Sequence, residues 1–380
     1  MLVINLAPID QSGRSLAIAQ YLKKNSHSVT LVSYKGARDY SGRVEDKLNI
    51  SYIRNIPTRN KPILVRQILI LIKFVYISIM SMVHLYKYRL NLHTHGLKEC
   101  LTNCKFYNKG GTVIFVVPPT LTVIFPLIFS KILGIRVIID WHRISVGFME
   151  IFDRQIARCA ENITVTYDMQ RYFISHRIKK PFLLTDIRLR KALTKKEETK
   201  DRKVCKKKFF AYLSEKYTEY KEKLDSIKIG QQIGICSTSC SQEENIEGFL
   251  EELNTLNIPQ GGVLFITTKE KIECKNKTLQ VIQVFLDYND YLDLLAVADF
   301  GISTHVCRLD FPLKIVDYMD SGLKVLAHSS TPSIGNKKDH SRIIRYTNNM
   351  NLRRCLARLF SQNKGTMRIE TNKIEEESKG

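Results

Sequence analysis

Short continuous apolar runs and longer, helically spaced stretches take turns along this chain. Leu2 to Leu6, Val29 to Ser33, Thr112 to Val117, Val137 to Ile139 and Ile163 to Val165 are runs of strand length. The residues between them, beginning with a helix through Lys24, carry apolar positions three and four apart. Runs without polar alternation, separated by helices, belong to a parallel sheet covered on both faces. The pattern starts again with Gln232 to Cys236, Val263 to Thr267 and Val281 to Phe285. It is clearest from Asp290 to Ala327, which reads as helix (Tyr291 to Val297), strand (Phe300 to Ser303), loop, helix and strand (Lys324 to Ala327). Pro312 opens the second of these helices, where a missing N–H costs nothing, and Gly322 ends it with a residue that tolerates positive φ.

Two stretches do not fit the alternation. At 100° per residue, Arg66, Gln67, Lys73, Ser78, Ser81, His84 and Lys87 fall in one half of the wheel of Ile63 to Tyr88, and the other half is wholly apolar. Such a helix either buries its broad face on the sheet or lies in a membrane interface. Crossing is disfavoured, since Arg66 and Lys73 would each cost about 3 kcal/mol at a bilayer centre. TLTVIFPLIFSKILG, interrupted by Pro126, is too short to span comfortably and reads as a crossover helix.

Length adds that two cores are expected from 380 residues of which 44% are hydrophobic. The expected boundaries are 1–185 for a first doubly wound domain, 186–228 for a basic linker, 229–345 for a second, and 346–380 for a helix crossing back to the first domain and a polar tail. A net charge of +22 implies an anionic partner: nucleic acid, an acidic membrane surface or phosphorylated substrates. Arg188 to Lys208, with eleven basic residues against three acidic ones, is either a solvated linker or a lipid-facing strip, where each cation adds about 1 kcal/mol of attraction. Nucleic acid is disfavoured by the single tryptophan and the lack of a basic strip interleaved with aromatics. Met1 runs into a strand with no basic n-region, so the nine cysteines are expected as free thiols in a reducing compartment. His93, His95, Cys100 and Cys104 lack the usual ligand pairing of a zinc site.

Candidate chemistry collects where the strands of such sheets end. The loop Thr304 to Phe311 carries His305, Arg308 and Asp310, and the helix after it adds Lys314 and Asp317 one turn apart. Cations beside carboxylates suit a nucleotide sugar: Arg, Lys and helix N–H groups hold a diphosphate, and a carboxylate accepts ribose hydroxyls. Ser241 and Glu244 have capping-box spacing, which places a helix start there. Asp140 and His142 follow a buried strand; His142 has the pKa range of a general base and Asp140 can orient its ring. Alone, Asp317 would read as a solvated helix face and His142 as a structural histidine.

Several motifs together resemble the chitobiosyldiphosphodolichol β-mannosyltransferases: ADFGISTH (Ala298 to His305), LDFPLKIVDYMDSG (Leu309 to Gly322), DWH (Asp140 to His142), STS (Ser237 to Ser239) and GRS (Gly13 to Ser15). The resemblance implies the GT-B arrangement, two doubly wound α/β domains facing a cleft, and a metal-independent, inverting transfer of mannose from GDP-mannose to dolichol-diphosphate chitobiose with a β-1,4 linkage. It implies no cofactor, an endoplasmic reticulum membrane surface on the cytosolic side, and other glycosyltransferases of the same pathway as partners. Donor binding would fall to Ser239, Lys269, His305, Arg308, Asp310, Lys314 and Asp317, with Asp317 on the ribose. Gly13, Arg14 and Ser15 would meet the acceptor's pyrophosphate; His142 is the first choice of base and Asp10, on the first-strand loop, the second. The chain departs from the family at Val117, at Arg143 and Ile144, at Cys240 in place of a tryptophan, at Thr268 and Glu270 in place of glycines, and in a shorter loop with Arg308 in place of a glycine. A related transferase with another donor or acceptor, a degenerate non-catalytic relative and a basic binding protein are the competing readings.

Overall fold

In the computed structural model, residues 1–8, 13–25, 27–35, 48–56, 62–103, 111–117, 120–186, 206–228, 230–241, 243–259, 261–332 and 341–361 are described; side chains of 7, 8, 93–103 and 288 are not. The chain divides into two compact units, Met1–Lys195 and Lys196–Gly380.

The first unit runs β1 (Leu2–Pro8), α1 (Gly13–Lys24), β2 (Thr30–Tyr34), β3 (Asn49–Ile53), α2 (Ile63–Asn103), β4 (Thr112–Val117), α3 (Ile124–Ile132), β5 (Arg136–Trp141), α4 (Met149–Arg158), β6 (Glu161–Thr164), α5 (Tyr167–Ser175) and β7 (Phe182–Leu183). Its seven strands lie in the order β3-β2-β1-β4-β5-β6-β7, and the pairings are parallel. β4 is buried at every position, which is why it reads as an unbroken apolar run. The order reverses between β1 and β4, and ligands of doubly wound sheets bind beyond the strand ends at such a reversal.

α2 is built inside out. Lys73 donates to Asn55 Oδ1 at 2.8 Å and stands 5.2 Å from the centre of the Tyr34 ring. Ser78 and Ser81 are buried, and their hydroxyls have no partner among the described residues. Ile68, Leu71, Ile72, Val75, Ile79, Tyr86 and Leu90 face solvent. These seven exposed apolar residues fall within an arc of about 100° on a 3.6-residue wheel. The broad apolar face is therefore not packed on the sheet, one of the two destinations the sequence allowed. It continues onto α3, where Phe125, Ile128 and Ile132 are exposed and Phe125 meets Phe74 at 6.0 Å between ring centres. By length and composition, Ile63–Leu92 is apolar enough to cross a membrane.

The second unit runs α6 (Lys206–Lys216), α7 (Lys221–Asp225), β8 (Ile233–Ser237), α8 (Ile246–Thr255), β9 (Gly262–Thr267), β10 (Leu279–Val284), α9 (Tyr288–Val297), β11 (Phe300–Ser303), α10 (Leu313–Asp320), β12 (Lys324–His328), β13 (Ile343–Tyr346) and α11 (Asn349–Ser361). Its six parallel strands lie in the order β10-β9-β8-β11-β12-β13, reversing between β8 and β11.

Two expectations about its ends change. Residues 206–228 are not a solvated linker: Phe209, Phe210 and Leu213 are buried, Phe210 stacks on Phe265 at 5.8 Å, and Lys206 pairs with Asp299. α11 stays on its own unit, because Leu352, Leu356, Leu359 and Phe360 complete the core formed with α8 and β11. Apolar side chains at this spacing must be covered, and the nearest sheet face covers them.

Candidate active site

In the first unit, pleating decides what the DWH segment presents. Successive side chains on a strand point to opposite faces, so Trp141 turns one way and Asp140 and His142 the other. Trp141 is fully buried, donates to Asn162 Oδ1 at 2.8 Å and packs on Phe173. Asp140 is also fully buried, and it meets Arg14 from the first turn of α1. Arg14 Nε donates to Asp140 Oδ2 at 2.8 Å and Nη2 to Oδ1 at 2.7 Å. On the other side of the guanidinium, Nη1 donates to Asp186 Oδ1 at 2.7 Å. His142 Nε2 lies 3.0 Å from Asp140 Oδ2, and the ring is partly exposed.

The charges explain why this group stays inside. Burial alone would raise the Asp140 carboxyl, but the Arg14 charge and hydrogen bonds, with His142, hold it well below the usual carboxylate range. Burial likewise works against the Arg14 cation, and Asp140 and Asp186 outweigh it, raising the guanidinium above its ordinary value.

Of the residues assigned to the acceptor, Gly13 is exposed at the start of α1. Ser15 is buried with no partner for its hydroxyl among the described residues. The Arg14 guanidinium is committed to two buried carboxylates rather than presented at a surface, which is a structural post the sequence reading did not give it. Asp10 lies outside the described residues. Asp153 was missed: it is fully buried, Oδ2 accepts from Ser145 N at 2.6 Å, and Oδ1 has no partner among the described residues. Its position on one face of α4 with Ile156 and Ala157 was the available signal.

In the second unit, the reversal between β8 and β11 places the STS loop beside the loop Thr304 to Phe311. Glu244 ties them. One of its carboxylate oxygens accepts from Thr238 Oγ1 at 2.8 Å, Ser239 N at 2.8 Å and Ser239 Oγ at 3.0 Å. The other pairs with Lys314. Lys314 Nζ also donates to Ser237 O at 2.8 Å, and burial pulls its ammonium below the usual lysine value. The expected capping box is not formed. Asn245 caps α8 by accepting from Gly248 N, which leaves the Glu244 carboxylate for the loop and the lysine.

Tyr318, one turn after Lys314 on α10, is fully buried; its Oη accepts from Ser237 N at 2.8 Å and donates to Ile302 O at 3.3 Å, joining the two strands at the reversal. Gly301 is required beneath it, since a Cβ there would lie 2.4 Å from the ring. Asp317 is half-buried, three residues after Lys314. His305 Nε2 lies 3.4 Å from Asp310 Oδ2 and 3.8 Å from Glu243 Oε2. Glu243, His305 and Asp310 offer three donor atoms within 4.8 Å of one another, a set able to hold a divalent cation. Arg308 and Lys269 are exposed, and Lys269 Nζ stands 4.6 Å from the centre of the Phe285 ring. Ser239, His305, Asp310 and Lys314 thus share one neighbourhood through Glu243 and Glu244, two residues absent from the assigned site.

Described solved structures include a glycosyltransferase from Rickettsia africae, with a TM-score of 0.58 at 11% identity, covering 95% of this chain and 88% of that one. HepE from Anabaena, in complex with UDP and glucose, gives 0.57 at 12% identity, covering 95% and 90%. The fold is GT-B. Among curated sequences, the chain is similar to the chitobiosyldiphosphodolichol β-mannosyltransferase of Candida albicans, at 27% identity over 245 residues, 54% of this chain and 49% of that protein. That of Dictyostelium discoideum is 27% identical over 275 residues, 57% and 56% of the two chains. The chain spans about half the length of the curated relatives it matches. No protein-family model matches it.

Proposed function

We propose that this chain is an inverting mannosyltransferase that moves mannose from GDP-mannose to dolichol-diphosphate chitobiose, forming a β-1,4 linkage without a metal. The observation that carries the reading is the cluster at the reversal of the second sheet, where a partly buried lysine, the STS loop and the start of α10 converge. There the diphosphate is held by Lys314 and the N–H groups at the very start of α10, with Arg308 and Lys269 on the exposed side. Glu244 keeps Lys314 aimed at the strand ends. Asp317 accepts from ribose hydroxyls, and Asp310 and His305 from the sugar. In the first unit His142, oriented by Asp140, takes the proton of the acceptor hydroxyl as that oxygen attacks the anomeric carbon. Developing charge on the leaving diphosphate is met by the cations and amides already in place.

The lipid tail of the acceptor assigns a task to α2 and α3. Their exposed apolar face lies along the endoplasmic reticulum membrane on its cytosolic side, flanked by Arg66 and Lys87. α2 lies on the membrane rather than crossing it, because Ile77 and Leu85 on its other side are buried in the unit. Other glycosyltransferases of the same pathway are the expected protein partners. Purified protein given GDP-mannose and a synthetic lipid-diphosphate chitobiose tests the reading; binding of GDP-mannose without transfer would redirect the search to another acceptor. Transfer abolished by chelator and restored by a divalent cation would instead assign a metal to Glu243, His305 and Asp310.

A further inference from the structure

The network at the end of β5 contains more than a histidine beside a carboxylate. Asp140 is fully buried, both of its oxygens already accept from Arg14, and one of them also meets His142 Nε2 at 3.0 Å. An ionised carboxylate accepts and never donates, so the nitrogen facing it must carry a hydrogen. A neutral imidazole has a single N–H. With Nε2 protonated toward Asp140, the lone pair sits on Nδ1.

Arg14 is what keeps this assignment from reversing. A buried carboxyl without a cation takes up a proton, and a protonated Asp140 could donate to Nε2 and move the ring hydrogen to Nδ1. The fork of Arg14 opposes this, and Asp186 holds the guanidinium from its other side by accepting from Nη1 at 2.7 Å. The arrangement draws on three separate parts of the unit: the start of α1, the end of β5 and the segment after β7. Solvent-facing pairing would not need a guanidinium with a fully buried side chain.

We propose that Arg14 is the positioning residue of this site, fixing the His142 ring through Asp140 with Nε2–H turned inward and Nδ1 as the nitrogen that takes the proton from the acceptor hydroxyl. This rests on the reading of His142 as the base. Asp186 anchors the far side of Arg14 and belongs to the same device.

The experiment is the two-bond ¹⁵N–¹H spectrum of the full chain with ¹⁵N-labelled histidine, the His142 signals being assigned by their loss in His142→Gln. The wild-type ring is expected as the Nε2–H tautomer, a readout that needs neither a variant nor transfer activity. Arg14→Met is expected to shift the ring toward Nδ1–H and to lower kcat by between about tenfold and 10⁴-fold with the KM for GDP-mannose little changed. Arg14→Lys should recover part of kcat. If Arg14→Met does not fold, Asp186→Asn is read instead, with the same direction and a smaller effect. An Nδ1–H tautomer in the wild type overturns the proposal, as does Arg14→Met with unchanged tautomer and kcat. A His142→Gln variant that transfers at the wild-type rate overturns the base reading, and is distinguishable because the wild-type tautomer is measured independently.

Discussion

Lys314 and Glu244 form a partly buried pair whose removal should be felt differently depending on which partner goes. Side-chain exposure is 17% for Lys314 and 2% for Glu244. Replacing Lys314 by Met leaves the Glu244 carboxylate buried without its cation, a change that costs about 3–5 kcal/mol in comparable sites. The three hydrogen bonds from Thr238 Oγ1, Ser239 N and Ser239 Oγ survive and hold part of the charge, which points to the lower end, about 3 kcal/mol. At a urea slope of about 1–3 kcal/mol/M this is a midpoint shift of about 1 M or more for the second unit. Adding Glu244→Gln removes the stranded charge, so Lys314→Met with Glu244→Gln should be more stable than Lys314→Met alone, with a coupling of about 2–3 kcal/mol in the cycle. Far-UV circular dichroism follows the loss. Fluorescence of Trp141, the single tryptophan and a resident of the first unit, serves as a control that should not move. Single-variant effects that add to the double within about 0.5 kcal/mol would refute the reasoning.

Other consequences are open to direct measurement. The Asp140 carboxyl is held below its unfolded value of about 3.9, so its stabilisation is complete above that pH and is lost as pH falls through the folded value. Acid unfolding followed by Trp141 fluorescence should therefore be steeper below about pH 4 in the wild type than in Asp140→Asn, and equal slopes would contradict the pairing. Gly301→Ala drives a methyl into the Tyr318 ring and should cost about 1–3 kcal/mol, read as a lowered unfolding midpoint. Ile68→Glu with Leu71→Glu, both on the exposed face of α2, should abolish flotation with anionic vesicles and leave the circular dichroism spectrum unchanged; retained flotation would remove α2 from the membrane.

What was legible in the sequence followed from how parallel sheets bury their strands. β4 and β11 are covered on both faces, so their apolar runs stand out, and the Pro312 and Gly322 marks around α10 hold in the structure, with Gly322 at φ 84°. β3 escaped because an edge strand with one buried residue carries no such run. α6 escaped because lysines flank Phe209, Phe210 and Leu213, and charge density masked the apolar face. The site divided in the same way. Lys314, His305 and Asp310 lie within one local stretch and could be grouped by eye. Arg14 and Asp140 are 126 positions apart, and only the sheet order brings them together. Glu244 carried a local signature that predicts a cap, but a stronger partner in Lys314 took its carboxylate.

The most direct test of the account is transfer of labelled mannose from GDP-mannose to a synthetic lipid-diphosphate chitobiose by the purified chain, with and without chelator, beside Asp317→Ala. Transfer that resists the chelator and is abolished in Asp317→Ala is the expected result. Absence of both transfer and GDP-mannose binding in a folded wild-type protein would contradict it and leave the cluster around Lys314 without a donor.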